Sequence, residues 1–323
     1  MHLNRRHFLA GASALAAGTA FPHSLRGQSP LYPARRLPFH VAVINDEISP
    51  DFDHACHVVA NDFGLHSIEI RSMWHKNVAD LNEQEIAEAR RIVARYNLIV
   101  SDIASPLFKT AFPAGEAAPG AKVDEFGAKF TFDRQNEVLE RCIHLARSFS
   151  TPRIRCFDFI RLADRQRFLP AIHEQLRKTA EVLAKDKLIL LLENEQTCNT
   201  ATGAEAAATL AAVPNTNFML NWDPGNAAYV GAVPYPHGYD LLPKNRIGHC
   251  HCKDVVRDAS GKPSWAAVGS GIVDWRGQIE ALVKQNFHYT LSLETHWRGA
   301  GSAEASTRAS MAGLQKILAS VSA

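Results

Sequence analysis

The strongest constraint on this chain is an alternation. Between residues 39 and 318, eight short apolar runs alternate with amphipathic stretches. The runs are FHVAVI (39–44), HSIEIR (66–71), LIVSDIAS (98–105), RIRCFDF (153–159), KLILLLE (187–193), NFMLNWD (217–223), RIGHCHC (246–252) and YTLSLE (289–294). Each has the length and the bounding polar residues of a strand. Apolar residues recur at helical spacing over 81–96, 134–149, 168–185, 204–212, 275–286 and 303–318, and first near 52–64, where Gly64 stands as the C-cap. KLILLLE is apolar on both faces, as a parallel strand covered by helices requires. An open doubly wound sheet calls for a glycine-rich phosphate turn after the first strand, and INDEISPDF supplies acids there instead. The pattern therefore predicts one (β/α)8 TIM barrel over residues 31–323. Residues 105–133, rich in Pro, Gly and Ala, form a loop of a length that commonly carries function.

The first 30 residues do not fit this repeat. Arg5 and Arg6 precede an Ala-rich apolar run in NRRHFLAGASALAAGTAF, the layout of a twin-arginine export signal, which predicts a periplasmic or secreted protein. A net charge of +2 over the whole chain and the absence of a basic run do not suit a nucleic-acid partner. After the signal segment no stretch supplies the ~20 apolar residues of a membrane span, so no membrane contact beyond export is expected. The six cysteines show no framework spacing, and a chain of 323 residues can bury a core without disulfides.

Chemistry concentrates where the later strands end. In RIGHCHCKD, side-chain alternation puts His249, His251 and Lys253 on one face and Cys250 and Cys252 on the other, which excludes a zinc site built from all four. Strands five, six and eight each end at an acid: Glu193, Asp223 and Glu294. A carboxylate directly after a buried apolar strand is costly without a partner. With His251 the intervals are 30, 28 and 43 residues, one group per βα unit. Three carboxylates and one imidazole suit a single divalent ion, Mn²⁺ in the first place, with Mg²⁺, Co²⁺ or Zn²⁺ as alternatives. Each acid can instead cap the following helix; in DPG, Asp223 would be the N-cap and Pro224 the first helical residue.

The stretches INDEISPDFDHA, GLHSIEIRSMWHKNVADL, IASPLFK, LLLENEQTCNTATG, NWDPGNA, HCHCKD, VGSGIVDW and LSLE resemble the xylose isomerase-like barrel family of sugar isomerases and epimerases, which also holds inosose dehydratases and a DNA-repair endonuclease branch. The resemblance implies metal ligands Glu193, Asp223, His251 and Glu294, with Glu193 and Glu294 moving protons on either face of a carbohydrate substrate. It implies an isomerase or epimerase acting on a keto-sugar through an enediolate. Elimination or hydration of a 3-keto-glycoside or inosose-type substrate is the alternative, and a non-catalytic sugar-binding subunit the alternative of another class. An endonuclease would need more histidines and a basic groove. Epimerases of the family often carry a histidine where Asn226 stands, three residues after the metal Asp, and an arginine where Arg257 stands, six after the metal His. The glycine loop before the eighth helix reads Gly269–Ser270–Gly271. Glu47, Arg71, Trp74, Lys109, Glu195, His249, Lys253 and Trp297 stand where a barrel draws its polar wall, Trp74 and Trp297 as sugar-stacking rings and His249 and Lys253 as auxiliary groups. A homo-oligomer is compatible with all of these readings.

Overall fold

The structure, a computed structural model, describes residues 37–113, 115–122 and 129–321. The segment read as an export signal lies outside them. Eight parallel strands make the barrel: β1 (His40–Val43), β2 (Ser67–Ile70), β3 (Ile99–Ile103), β4 (Arg153–Cys156), β5 (Ile189–Glu193), β6 (Phe218–Trp222), β7 (Ile247–Cys252) and β8 (Thr290–Leu293). Neighbours pair in sequence order from β2 to β8, and β8 pairs with β1. Between β1 and β2 only one parallel bridge, Ile44–Glu69, joins the ring. The barrel is thus nearly closed.

The outer layer holds α1 (Phe52–His57), α2 (Glu83–Arg95), α3 (Gln135–Ser148), α4 (Arg165–Ala184), α5 (Gly203–Ala212), α6 (Pro224–Tyr229), α7 (Tyr239–Leu241), α8 (Trp275–Lys284) and α9 (Ala303–Val321), of which all but α6 and α7 match a predicted helix. Their starts are chemically marked. Asn82 with Glu85, and Thr202 with Glu205, form reciprocal capping boxes for α2 and α5. α4 begins earlier than apolar spacing suggests, so Pro170 sits inside it rather than in its first turn. α6 is too short for periodicity to reveal; its cap and its proline define it.

Two hairpins were not legible as strands. Ser72–Met73 pairs with Lys76–Asn77 after β2, and Asp254–Arg257 pairs with Pro263–Ala266 after β7. Both rise from the C-terminal ends of barrel strands, the end where this fold places its chemistry. All six cysteines are free and buried, and Cys250 and Cys252 belong to the apolar core. Among the described residues no helix is long and apolar enough to cross a membrane.

The packing of α9 yields a test of the fold. Gly313 lies so close to the Val268 carbonyl that an added Cβ would overlap it. Alanine favours a helix over glycine by about 1 kcal/mol, yet overpacking at a rigid contact costs about 1–3 kcal/mol. Gly313→Ala should therefore lower the urea midpoint; a midpoint equal to or above the parent's would show that α9 does not pack as described.

Candidate metal centre

Four side chains from separate βα units converge at the C-terminal end of the barrel. Glu193 ends β5, Asp223 follows β6, His251 lies in β7 and Glu294 follows β8. All four are buried, and one ligand atom from each lies within 4.8 Å of the others. His251 Nδ1 is 3.2 Å from both Glu193 Oε1 and Glu294 Oε2, and 3.7 Å from Asp223 Oδ2.

Asp223 fills both of the roles that its sequence context permits. Its Oδ1 accepts the backbone N–H of Asn226 at 2.8 Å and caps α6. Its Oδ2 turns to the centre, fully buried and without a well-directed hydrogen bond. A buried carboxylate oxygen is costly unless a cation meets it, and here the Lys253 ammonium does so at 2.9 Å.

The residue that orients His251 was not anticipated. His251 Nε2 lies 3.0 and 3.2 Å from the two oxygens of Glu69 on β2. With Nε2–H donating to Glu69, it is Nδ1 that would offer a lone pair to an ion at the centre; this tautomer is assigned from the partners. A carboxylate behind a ligating imidazole is the usual support of metal-bound histidine. Glu69 also meets His249 Nε2 at 3.2 Å, and His249 Nδ1 lies 3.6 Å from Asp102 Oδ1 on β3. Barrel interiors are ordinarily filled by branched apolar residues; here Glu69, Asp102, Asn221, His249 and Ser292 are fully buried polar residues of the strands. The available signal was an acid in the middle of an apolar strand, in HSIEIR and in LIVSDIAS, rather than at its end.

Each carboxylate of the quartet also meets a buried protein cation. Arg155 on β4 donates to Glu193 Oε2 at 3.1 Å. Arg71 donates from Nη1 to Glu294 Oε1 at 2.7 Å, from Nη2 to Glu47 at 2.8 Å and from Nε to Asp46 at 3.0 Å. Lys253 Nζ is 2.9 Å from Asp223 Oδ2 and also contacts Glu294 Oε2. Burial pushes the Glu193 carboxyl up, but His251 and Arg155 overcome this and hold it at about 2. Glu47, buried and paired with Arg71, is likewise held at about 2. Glu294 stays well below the ordinary range because Lys253 and the two histidines outweigh its burial. At neutral pH both proton-moving candidates are ionised.

The other predicted wall residues divide between the centre and its surroundings. Asn226 is fully buried and donates to Glu193 Oε1 at 3.2 Å and to the Asn194 carbonyl at 2.9 Å, so it orients a carboxylate. Arg71 is occupied in the same way by three acids. Lys109 Nζ lies 3.9 Å from Glu195 Oε2, above the Phe157 ring, on the Glu193 side. Glu47 ties Arg71 to the β8 loop, accepting from His296 N at 3.2 Å and meeting Arg298 at 2.9 Å. Arg257 is spent elsewhere: its guanidinium donates to the carbonyls of Gly261, Ala228 and Tyr229 and ties the second hairpin to α6. Trp74 packs edge-on against Phe52, and Trp297 sits on the loop three residues past Glu294, half-buried. Two mouth residues had gone unread. Trp265 of the second hairpin stacks on Tyr229, with Lys253 Nζ 5.2 Å from its ring centre, and His296 Nε2 lies 3.0 Å from Glu294 Oε1. A cavity of about 440 Å³ opens beside Asp46, Ser72 and His75, but no quartet member lines it. The chemistry belongs with the quartet, where the buried charges converge.

The model of the xylose isomerase-like TIM barrel matches residues 58–317. The chain belongs to that family. Three solved structures share the fold. The IolI protein with a bound zinc atom has a TM-score of 0.68 at 12% identity, over 87% of this chain and 99% of that one. A xylose isomerase-like TIM barrel protein from Mycobacterium smegmatis in complex with magnesium has a TM-score of 0.64 at 18% identity, over 90% and 100%. The probable 3-DHS dehydratase AsbF from Bacillus anthracis has a TM-score of 0.62 at 19% identity, over 87% and 98%. No curated protein sequence matches the chain. The family is largely enzymatic and includes isomerases, epimerases and dehydratases.

Glu193, raised by burial but held down first by His251 and then by Arg155, sets a pH dependence. The Glu193 carboxyl falls from 4.5 to about 2 on folding, so its stabilisation is present above pH 4.5 and is lost as pH falls toward 2. At neutral pH the shift corresponds to about 3 kcal/mol. Arg155→Met removes the partner and should cost about 3 kcal/mol at pH 7, with a smaller further loss between pH 5 and pH 2.5 than the parent shows. Urea unfolding across that range checks the sign; parallel pH profiles for both proteins would contradict it.

Proposed function

We propose that this protein is a divalent-metal-dependent isomerase or epimerase of a keto-sugar or related polyol, with Glu193, Asp223, His251 and Glu294 holding the ion. One observation carries the reading: three carboxylate oxygens and one imidazole nitrogen, from four separate βα units, lie buried within 4.8 Å of one another. The donor set fits Mn²⁺, Mg²⁺, Co²⁺ or Zn²⁺, and the zinc and magnesium in the related structures agree with it. When bound, such an ion supplies the positive charge that acidifies a C–H beside a carbonyl.

The residues of the chain supply the proton chemistry. Glu193 and Glu294 each give one oxygen to an arginine and turn the other to the centre, so each starts the reaction as a base. The glutamate that takes the proton can return it to the neighbouring carbon from the same face; for epimerisation the other glutamate, having taken a proton from solvent, delivers it to the opposite face, and the first then releases its own to solvent. Asn226 and Arg155 fix the Glu193 carboxylate, and Arg71 and His296 fix that of Glu294. Lys253 and Lys109 supply positive charge for substrate oxygens that become anionic.

Elimination of water is a second reading, and His296 favours it. This imidazole, partly exposed at the mouth and 3.0 Å from Glu294, is placed to protonate a leaving hydroxyl. Solvent-exchange NMR in D2O, with the metal-loaded protein and a panel of free ketoses and 3-keto-glycosides, separates the outcomes. Deuterium entering at carbon without bond cleavage supports isomerisation or epimerisation, and an unsaturated product supports elimination. Glu193→Gln and Glu294→Gln should each slow exchange at least ~100-fold. Unaltered turnover in Glu294→Gln would remove the proposed mechanism, and binding without exchange would leave a sugar-binding subunit.

The ion itself is tested apart from turnover. The purified protein should hold one divalent ion per chain by elemental analysis. Glu69→Gln, which leaves all four ligands in place, should weaken that binding about 10–100-fold; an unchanged affinity would mean that Glu69 does not orient His251.

A further inference from the structure

Lys253 is among the largest fully buried side chains of the protein. A lysine is rarely buried completely unless it is paired, and this one is paired with the candidate ligands themselves. Its Nζ lies 2.9 Å from Asp223 Oδ2, touches Glu294 Oε2, and is 4.0 Å from Glu193 Oε1. These are the same three oxygens that surround His251 Nδ1. The ammonium therefore stands among the atoms that a divalent ion would bind.

The placement is built into the backbone. The lysine stem crosses Gly225, directly after the Asp223–Pro224 pair, and a Cβ at that position would overlap Lys253 Cγ. The Lys253 carbonyl accepts from Trp275 Nε1 at 3.0 Å, which anchors its main chain. Arg71 and Arg155 approach Glu294 and Glu193 through the oxygens that face away from the centre, Oε1 and Oε2 respectively. They can stay when an ion binds. Lys253 alone among these three cations uses the inward oxygens, and a monovalent and a divalent cation cannot share them without strong repulsion.

We propose that Lys253 is the resident counter-ion of this centre: seating of its ammonium on Asp223 and Glu294, and binding of a divalent ion by those same oxygens, exclude one another. The inference rests on the metal reading given above and adds a consequence to it. The carboxylates stay neutralised while no ion is present, so the protein folds without metal. Part of the binding energy of an ion goes into displacing the lysine, which lowers its affinity. The displaced ammonium remains beside the centre, where substrate oxygens would lie.

Lys253→Met tests this without reference to turnover. Titration with MnCl2 by calorimetry should show binding at least about tenfold tighter than in the parent. Thermal unfolding of the metal-free variant should begin well below that of the metal-free parent, because two buried carboxylates lose their partner. Saturating MnCl2 should restore the variant to near the metal-loaded parent. Lys253→Arg, which keeps the charge, should retain the weaker affinity. Equal or weaker Mn²⁺ binding by Lys253→Met overturns the proposal while leaving the metal reading intact. A variant that stays unfolded in saturating MnCl2 overturns it as well, since the ion then fails to replace the ammonium. No binding by either the parent or the variant brings down both readings.

Discussion

Confining several carboxylates within one desolvated barrel mouth is the constraint on which the rest of the structure depends. Glu47, Glu69, Glu193, Asp223 and Glu294 are all buried, and each would cost several kcal/mol in isolation. Arg71, Arg155 and Lys253 answer them, and burial lowers the basicity of His251 in the middle while Glu69, Glu193 and Glu294 raise it by more. Remove the cations and the mouth cannot remain dry; remove the acids and three buried cations lose their partners.

This arrangement divides each of Glu193 and Glu294 into two ends. One oxygen is held by an arginine, which fixes the rotamer and keeps the group ionised. The other is turned inward to a shared point. A base that is both immobile and ionised needs little reorganisation when a substrate arrives, and such preorganisation is a large part of what enzyme sites supply. The layer beneath serves the same end: the Glu69 carboxylate sets the tautomer of His251 and is itself shared with His249. His249 therefore belongs to the support of the centre rather than to its open face.

Family membership and chemistry are settled at different levels. Solved structures at 12–19% identity cover nearly their whole length with this chain, which speaks for the barrel and not for the reaction, since one fold hosts many activities. What separates epimerisation from elimination in such a barrel is local: which proton donor stands near the leaving group.

Much of this was legible in the chain itself. The eightfold alternation gave the barrel because strand and helix periods are local properties of backbone geometry. The acids ending β5, β6 and β8 and the inward histidine of β7 were readable because side chains alternate along a strand and this fold keeps its chemistry at one rim. Other features were beyond its reach. Glu69 and Asp102 sit mid-strand, where an acid has meaning only once the opposite wall of the barrel is known. Arg155 looked like any strand arginine, and Arg257 kept a suggestive spacing yet turned to backbone carbonyls. Lys253 was placed on the correct face by alternation, but nothing in the order of residues says that its ammonium lands on Asp223 and Glu294. Sequence determined which groups point inward; only the closed barrel decided which of them meet, because those encounters join residues from 30 to more than 200 positions apart whose distances are set by the ring and not by the chain.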